Sequence, residues 1–136
     1  MDQQAGARVR ETYDVWNDAG LDAVARDYWH PEIELEVPPG WEVLLGSAHA
    51  AGRDEVVAVY RAATAAIQDS KAELIDIEQV GDEYVCTMRF RGRGESSGVD
   101  VESLQMFQVL SLEDGLVRRI RFFMDLDSAR AAAAAT

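Results

Sequence analysis

The chain has 136 residues, of which 48 % are hydrophobic and 28 % charged; this composition is ordinary for one globular domain and too apolar for disorder. Its formal net charge of −12 argues against nucleic-acid binding, because the phosphates would have to be neutralised by Lys and Arg. Cys86 is the only cysteine and no signal peptide or apolar run of ~20 residues is present, so we expect a cytoplasmic protein that does not enter membranes.

The first half of the chain predicts three helices around one strand. Apolar residues recur at every third or fourth position in 7–19, 21–29 and 53–69, which is the spacing of one helix face. The second helix must end before the His30-Pro31 step, because proline disfavours helical geometry in the residue that precedes it. The following segment, 32–37, reads EIELEV, and its strict alternation predicts a half-buried strand.

The second half of the chain predicts consecutive strands. Their ranges are 71–80, 83–93, 99–112 and 115–125. Gly-containing turns connect the strands, and a short helix capped by Asp127 or Ser128 follows before the terminal alanines. Helices followed by successive strands predict an α+β domain with an antiparallel sheet, in one unit over 1–136 whose ends fray at 1–6 and 130–136.

This order of elements resembles the NTF2-like superfamily, and within it the SnoaL-like proteins. The segments that carry the resemblance are YDVWNDAGLDAVARDYWHPEIELEVPPG, GRDEVVAVYRA and EDGLVRRIRFFMD. The resemblance implies a cone-shaped, cystatin-like α+β barrel, in which a curved antiparallel sheet wraps around a long third helix with two shorter N-terminal helices. It further implies an apolar cavity open at one end and a homodimer formed through the outer face of the sheet.

The superfamily contains isomerases, polyketide cyclases, epoxide hydrolases, dehydratases and members without known activity, so the fold alone does not decide the function. The resemblance implies an apolar pocket for a small hydrophobic carbonyl or hydroxyl compound, with isomerisation, cyclisation or dehydration as the reaction. The alternative is a non-catalytic module for ligand binding or dimerisation.

Ketosteroid isomerases of this superfamily provide the most detailed comparison. The resemblance places their enolate-binding tyrosine at Tyr13, the supporting tyrosine at Tyr60 and a third pocket aromatic at Trp29. The position of their catalytic carboxylate is Val37, which cannot remove a proton, and this argues against steroid isomerisation. Their second, neutral acid corresponds to Gln108, which can donate a hydrogen bond but cannot supply a proton. A purely structural interpretation is that both tyrosines are core residues bonded to each other or to the backbone.

Limonene-type epoxide hydrolases resemble the chain in the last strand. Their catalytic aspartate corresponds to Phe122, which excludes that reaction here. Period-two alternation then turns Ile120, Phe122 and Met124 inward, and Asp125 becomes a helix-capping or surface residue. The same alternation places Arg89, Arg91 and Arg93 together on one face, which we interpret as the outer face, paired with acidic side chains.

From these comparisons we predict a set of site residues. The predicted ligand-binding residues are Tyr13, Trp16, Trp29, Val37, Tyr60, Met88, Phe90, Met106, Gln108, Ile120 and Phe122. The catalytic candidates are Tyr13, Gln108 and His49, the last as the one imidazole in the loop 40–52 at the cavity mouth. Trp41 in this loop is a candidate lid. Neither histidine has a metal-ligand spacing, so we expect no metal and no cofactor.

Overall fold

The computed structural model describes residues 2–37, 40, 49–65, 67–94 and 98–135. These residues form four helices and seven strands. The helices are α1 (Asp2–Ala19), α2 (Leu21–Tyr28), α3 (Arg53–Ala63) and α4 (Leu126–Ala134). The strands are β1 (Trp29–Glu36), β2 (His49–Ala51), β3 (Ile67–Val80), β4 (Glu83–Gly94), β5 (Asp100–Glu102), β6 (Met106–Glu113) and β7 (Leu116–Phe123). None of the described helices is long and apolar enough to cross a membrane.

The strands form a single curved sheet in the order β2-β1-β7-β6-β4-β3, and β5 adds a short pairing to β4. The α+β class and the NTF2-like architecture are therefore confirmed. One detail differs from a purely antiparallel sheet, because β1 and β7 pair in parallel. These two strands lie far apart in the chain, so no hairpin fixes their relative direction.

The predicted strand 99–112 is two strands. Ser103 lies in the break between β5 and β6 and replaces the regular ladder: its backbone N–H donates to the Phe90 carbonyl at 2.8 Å, and its Oγ accepts from the Phe90 N–H at 2.9 Å. The backbone groups of Phe90 therefore stay bonded although the strand is interrupted, which is why alternation alone did not reveal the break.

The helix lengths also differ from the expectation. The first helix has 18 residues, whereas α3 has 11 and ends at Ala63 rather than near residue 69. Ile67, assigned to the helix by its spacing, instead begins β3 opposite Gly94. Gly92 permits this, because a Cβ there would lie 2.3 Å from Ile67 Cγ2 and 2.6 Å from the Gln68 carbonyl oxygen. Ile67 thus belongs to the sheet, and α3 ends before it at Ala63.

The inner face of the sheet packs against α1, α2 and α3 and forms the main core. The outer face carries α4, whose start is capped by Asp125: its Oδ1 accepts the Ser128 N–H at 2.8 Å. Ala129 and Ala133 are 0 % and 1 % exposed and pack on the valines of β4 and β6. The terminal alanines, expected to fray from residue 130, therefore continue a packed helix. Met124, expected inward, is 41 % exposed because β7 ends at Phe123.

Ion pairs cover the outer face beside α4. Arg89 and Arg91 both pair with Glu73, and Arg93 pairs with Asp69 on the neighbouring strand β3. This confirms the interpretation of the alternating arginines as an outward row. Cross-strand pairs of opposite charge stabilise a sheet by roughly 0.2–1 kcal/mol each, so the row makes only a modest contribution to the pairing of β3 with β4.

Candidate ligand-binding site

Three polar side chains meet in the centre of the main core. The Tyr13 hydroxyl donates to Gln108 Oε1, and Gln108 Nε2 donates to the Tyr60 hydroxyl oxygen at 2.8 Å. The three residues are 6 %, 4 % and 4 % exposed, respectively. The structure thus brings together the three side chains that the resemblance to isomerases had singled out from distant parts of the sequence.

Helical and strand periodicity aim these side chains inward. Tyr13 follows the buried Val9 by one turn of α1, and Tyr60 follows the buried Val56 by one turn of α3. Gln108 is an inward residue of β6, where it lies directly opposite Cys86 of β4. Burial of the apolar faces of α1, α3 and β6 therefore brings the three polar side chains together in the core.

A count of protons shows what this network leaves available. The Tyr13 proton is used by the Gln108 oxygen, whereas the Tyr60 oxygen receives a proton from the amide. The hydroxyl proton of Tyr60 has no acceptor among the described residues. Exchanging the amide oxygen and nitrogen would only swap the two tyrosines, because an amide can accept from one hydroxyl and donate to the other. In the orientation of the structure the remaining proton is that of Tyr60, whereas in the exchanged orientation it is that of Tyr13, which also interacts with the Cys86 thiol.

All groups in this network are neutral near pH 7. Burial raises the pKa of Tyr13 well above its usual range, and the neighbouring Cys86 and Tyr60 add to the shift. Burial also raises the pKa of Tyr60, although the hydrogen bond from Gln108 opposes it. Burial raises the pKa of the Cys86 thiol to about 12, against a smaller opposing effect of Tyr13. These side chains can therefore donate hydrogen bonds but do not serve as bases at neutral pH.

The network borders a small cavity of about 30 Å³. Its lining residues are Thr12, Tyr13, Trp16, Val24, Trp29, Tyr60, Ala72, Met88, Gln108, Leu110, Val117 and Ile120. A water molecule takes about 30 Å³ of liquid, whereas sites for drug-sized ligands measure about 300–1,000 Å³. The ligand-sized hollow expected from the resemblance is thus absent from the core of the described residues. The small cavity has room for one water-sized group.

Aromatic rings fill the rest of the interior. The ring of Tyr60 lies 5.2 Å from that of Trp16, 5.6 Å from Trp29 and 6.0 Å from Phe122, measured between centroids. These distances are within the range of direct ring contact. The same side chains that were expected to line a hollow instead pack against each other.

The predicted ligand-binding residues divide into two groups. Those that line the cavity are Tyr13, Trp16, Trp29, Tyr60, Met88, Gln108 and Ile120. Phe90, Met106 and Phe122 are buried in the same core without lining it, and Val37 is half-buried beside it. The ligand-binding role of all these residues stays a prediction.

Sequence reasoning missed five residues of the lining. They are Thr12, Val24, Ala72, Leu110 and Val117. Val24 was recognised as part of the apolar face of the second helix, and Leu110 follows the inward alternation of Gln108. Thr12 is polar, so the apolar pattern of the helix did not mark it as inward. In the structure its hydroxyl donates to the Val9 carbonyl at 2.7 Å within the helix.

The histidines lie away from the cavity. His49 begins strand β2 instead of lying in a loop at the mouth, and its half-exposed ring is 3.2 Å from the Glu34 carboxylate. His30 lies in β1, with Nε2 3.1 Å from Glu113. The catalytic role considered for His49 therefore has no geometric support at this cavity. Trp41 lies outside the described residues. Within the described ranges, no three side chains of the metal-ligating types are grouped to hold a metal ion.

A second, open groove of about 480 Å³ lies between α1 and β3. It is lined by Arg10, Tyr13, Asp14, Asn17, Lys71, Glu73, Leu74 and Arg91. Asn17 closes its inner end, because its amide group donates to the Ala72 carbonyl at 3.0 Å and accepts the Ala72 N–H at 2.9 Å. Tyr13 lines both this groove and the inner cavity.

Comparisons with known proteins agree with this architecture. An NTF2-like protein of unknown function from Burkholderia pseudomallei K96243 is 20 % identical, over 90 % of this chain and 91 % of that chain, with a TM-score of 0.72. A proposed SnoaL-like polyketide cyclase from Jannaschia sp. CCS1 is 20 % identical over 98 % and 94 %, with a TM-score of 0.70. TerC, co-crystallised with polyporic acid, is 14 % identical over 98 % and 99 %, with a TM-score of 0.72. Likenesses at these identities establish the fold.

A search of curated proteins finds no match to the sequence. A family comparison is more informative, because it covers the first helix, the third helix and nearly the whole sheet. The sequence pattern of the SnoaL-like domain matches residues 9–120, and the chain therefore belongs to the SnoaL-like domain family.

Proposed function

We propose that this protein binds a small, largely apolar molecule through one carbonyl or hydroxyl oxygen. The observation that carries the proposal is the remaining hydroxyl proton of the Tyr13–Gln108–Tyr60 network, which belongs to Tyr60. A buried tyrosine hydroxyl normally has a partner, and an oxygen atom in the adjoining cavity of about 30 Å³ would supply it. The similarity to TerC, which was co-crystallised with polyporic acid, supports the binding of a small molecule by this fold.

The body of such a ligand needs more room than the cavity offers. Trp16 is the half-buried part of the cavity wall, and its ring touches Tyr60 edge-on at 5.2 Å. Displacement of this ring would connect the Tyr60 hydroxyl with the surface. The ligand would then replace the contacts of an aromatic ring, which favours a flat, apolar body.

The chemistry available to the lining is hydrogen bonding rather than proton removal. A donor aimed at a carbonyl oxygen polarises the carbonyl and stabilises a developing oxyanion. An isomerase or cyclase also needs a proton acceptor within hydrogen-bond reach. The raised pKa values of Tyr13 and Tyr60 keep both hydroxyls protonated at neutral pH, so neither is available as that acceptor. Binding with polarisation is therefore the function that this lining favours.

The alternative, a dimerisation module without a ligand, is favoured by the filled interior. A homodimer through the outer sheet face stays a prediction, and α4 already occupies the part of that face around Val85 and Val109. A partner copy would have to use the rows of ion pairs beside α4. Sedimentation of the full chain tests this arrangement.

The binding proposal is tested with two probes of equal shape, 1-indanone and indane. Binding is followed through the indole N–H signals of Trp16 and Trp29, which line the cavity. We expect 1-indanone to bind about three- to tenfold more tightly than indane, because a net hydrogen bond contributes ~0.5–1.5 kcal/mol. Tyr60→Phe should abolish this preference.

Tyr28→Phe is the matched control, because it removes a tyrosine hydroxyl that bonds Glu11 on the surface at 2.9 Å. The preference for the ketone should be unchanged in this variant. Equal binding of the two probes by the wild type, or an unchanged preference in Tyr60→Phe, would contradict the proposal.

A further inference from the structure

Helix α1 presents two adjacent stripes to two different spaces. Arg10, Asp14 and Asn17 line the outer groove, whereas Thr12 and Trp16 line the inner cavity. Tyr13 belongs to both stripes, in agreement with the three- and four-residue spacing of a helix face. Once the neighbouring ring of Trp16 is displaced, a ligand held at the inner network by its oxygen would extend past Tyr13 into the groove.

The groove is locally basic in an acidic protein. It contains three cations, Arg10, Lys71 and Arg91, against two carboxylates, Asp14 and Glu73, whereas the whole chain has a net charge of −12. Glu73 is held by Arg89 and Arg91, and these arginines keep the pKa of its carboxyl low. Its charge is thus already matched on the sheet.

Two cations of the groove have donors to spare. Arg10 makes no hydrogen bond or ion pair with the residues that the structure describes. Lys71 uses one donor on the Asn17 carbonyl at 2.6 Å, which fixes its ammonium group beside the groove while two further N–H groups remain. An arginine and a lysine with free donors form a site for an oxyanion. The excess of one positive charge matches a carboxylate better than a phosphate dianion.

We propose that the groove between α1 and β3 binds the carboxylate of the ligand, so that the substrate class is small aromatic or aliphatic keto acids or hydroxy acids. This inference rests on the proposed function, because the ketone or hydroxyl oxygen of the same molecule is held at the inner network. The carboxylate lies with Arg10 and Lys71, and the apolar body passes Tyr13. The groove volume of about 480 Å³ is sufficient for such a molecule.

The test uses phenyl ketone acids with two, three and four methylene groups between the ketone and the carboxylate, each with its methyl ester. At the preferred length we expect the acid to bind about three- to tenfold more tightly than the ester at low salt. The ratio should decrease in 0.5 M NaCl, because salt screens partly exposed charges. Arg10→Gln should bring the ratio close to one, and Lys71→Gln should lower it.

Charge-matched variants separate a local contact from a general effect of net charge. Asp14→Asn removes a carboxylate from the groove and should raise the acid-to-ester ratio about twofold. Asp82→Asn, in the exposed turn between β3 and β4, should leave it unchanged. Arg26→Gln, which removes an exposed arginine that pairs with Asp27 on α2, is the control for Arg10→Gln. Equal effects of Arg10→Gln and Arg26→Gln would overturn the proposal.

The outcomes also separate this inference from the function on which it rests. The groove site alone is overturned by two results together. The acid-to-ester ratio is then near one at all three lengths, whereas the ketone esters still bind more tightly than 4-phenylbutanoic acid methyl ester, which lacks the ketone. The opposite result is a high acid-to-ester ratio that Arg10→Gln abolishes, with no preference for the ketone and no effect of Tyr60→Phe. This result supports the groove site and overturns the inner one. Tighter binding of the phosphonate analogue would overturn the assignment to a carboxylate.

Discussion

The inner and outer faces of strands β4, β6 and β7 accommodate polar groups in opposite ways. On the inner face, Gln108 and two tyrosines form a neutral network that is closed to solvent. On the outer face, arginines pair with carboxylates across neighbouring strands. Burial of a hydrogen-bonded neutral group costs far less than burial of a charge. The interior is therefore suited to recognition of an oxygen atom by neutral groups, whereas charges act at its edges.

One ion pair on the outer face does not fit this division. Arg121 and Glu83 form a pair whose side chains are only 12 % and 4 % exposed, and Ser111 donates to the same carboxylate. By contrast, the side chains of Arg93 and Asp69 are 54 % and 68 % exposed. The outer face therefore contains both a desolvated pair and pairs in contact with water.

The largest expected effect is at this buried pair. Glu83→Met should lower the free energy of unfolding by about 3–5 kcal/mol, because it leaves the guanidinium of Arg121 without its carboxylate in a desolvated site. Asp69→Asn, which breaks the exposed pair with Arg93 and suits the positive φ of 53° at that residue, should cost less than about 1 kcal/mol. Urea denaturation measures both. A similar cost for the two variants would remove the distinction between the pairs.

A smaller loss is expected in the neutral inner network. Gln108→Met should lower the free energy of unfolding by about 1–3 kcal/mol, because the Tyr13 hydroxyl loses its acceptor in a buried site. Adding Tyr13→Phe should recover part of this loss, since the unsatisfied donor is then removed. Gln79→Met is the exposed control, and a loss there as large as at Gln108 would contradict the role of the network.

The sequence was sufficient for the architecture and for the centre of the site. Helical spacing predicted the inward positions of Tyr13 and Tyr60, and strand alternation is consistent with the inward position of Gln108. Because these periodicities follow from backbone geometry, they can be read without knowledge of the packing. The meeting of the three side chains came from the resemblance to isomerases, since residues so far apart in the chain have no local relation.

The size of the cavity could not be predicted in the same way. Whether Trp16, Trp29 and Tyr60 enclose a hollow or fill it depends on ring orientations and on approaches of about 5–6 Å. The packing of α4 was equally hidden, because a run of alanines has no apolar side distinct from a polar one. The burial of α4 can be recognised only when the structure shows the valines of the outer sheet face that Ala129 and Ala133 contact.

The smallest expected effect concerns the alkaline limit of stability, which reports on the inner face alone. The pKa of Cys86 is raised by burial to about 12 in the folded protein, whereas an exposed thiol has a pKa of ~8.5. The folded state therefore retains a proton that the unfolded state loses, so this contribution is complete below pH ~8.5 and decreases as the pH rises towards 12.

Replacing Cys86 removes this dependence and leaves the outer face unchanged. The free energy of unfolding of the wild type should fall by roughly 1 kcal/mol per pH unit between pH 9 and 10 through this group, and Cys86→Ala should show a correspondingly flatter dependence. Urea denaturation at several pH values measures the slopes, which are independent of any constant packing loss caused by the substitution. The thiol should also react with Ellman's reagent at pH 8 only as fast as the protein opens. Equal slopes, or a fast reaction of the native protein, would mean that water reaches the inner face at Cys86 and that the two faces are less different than their contacts indicate.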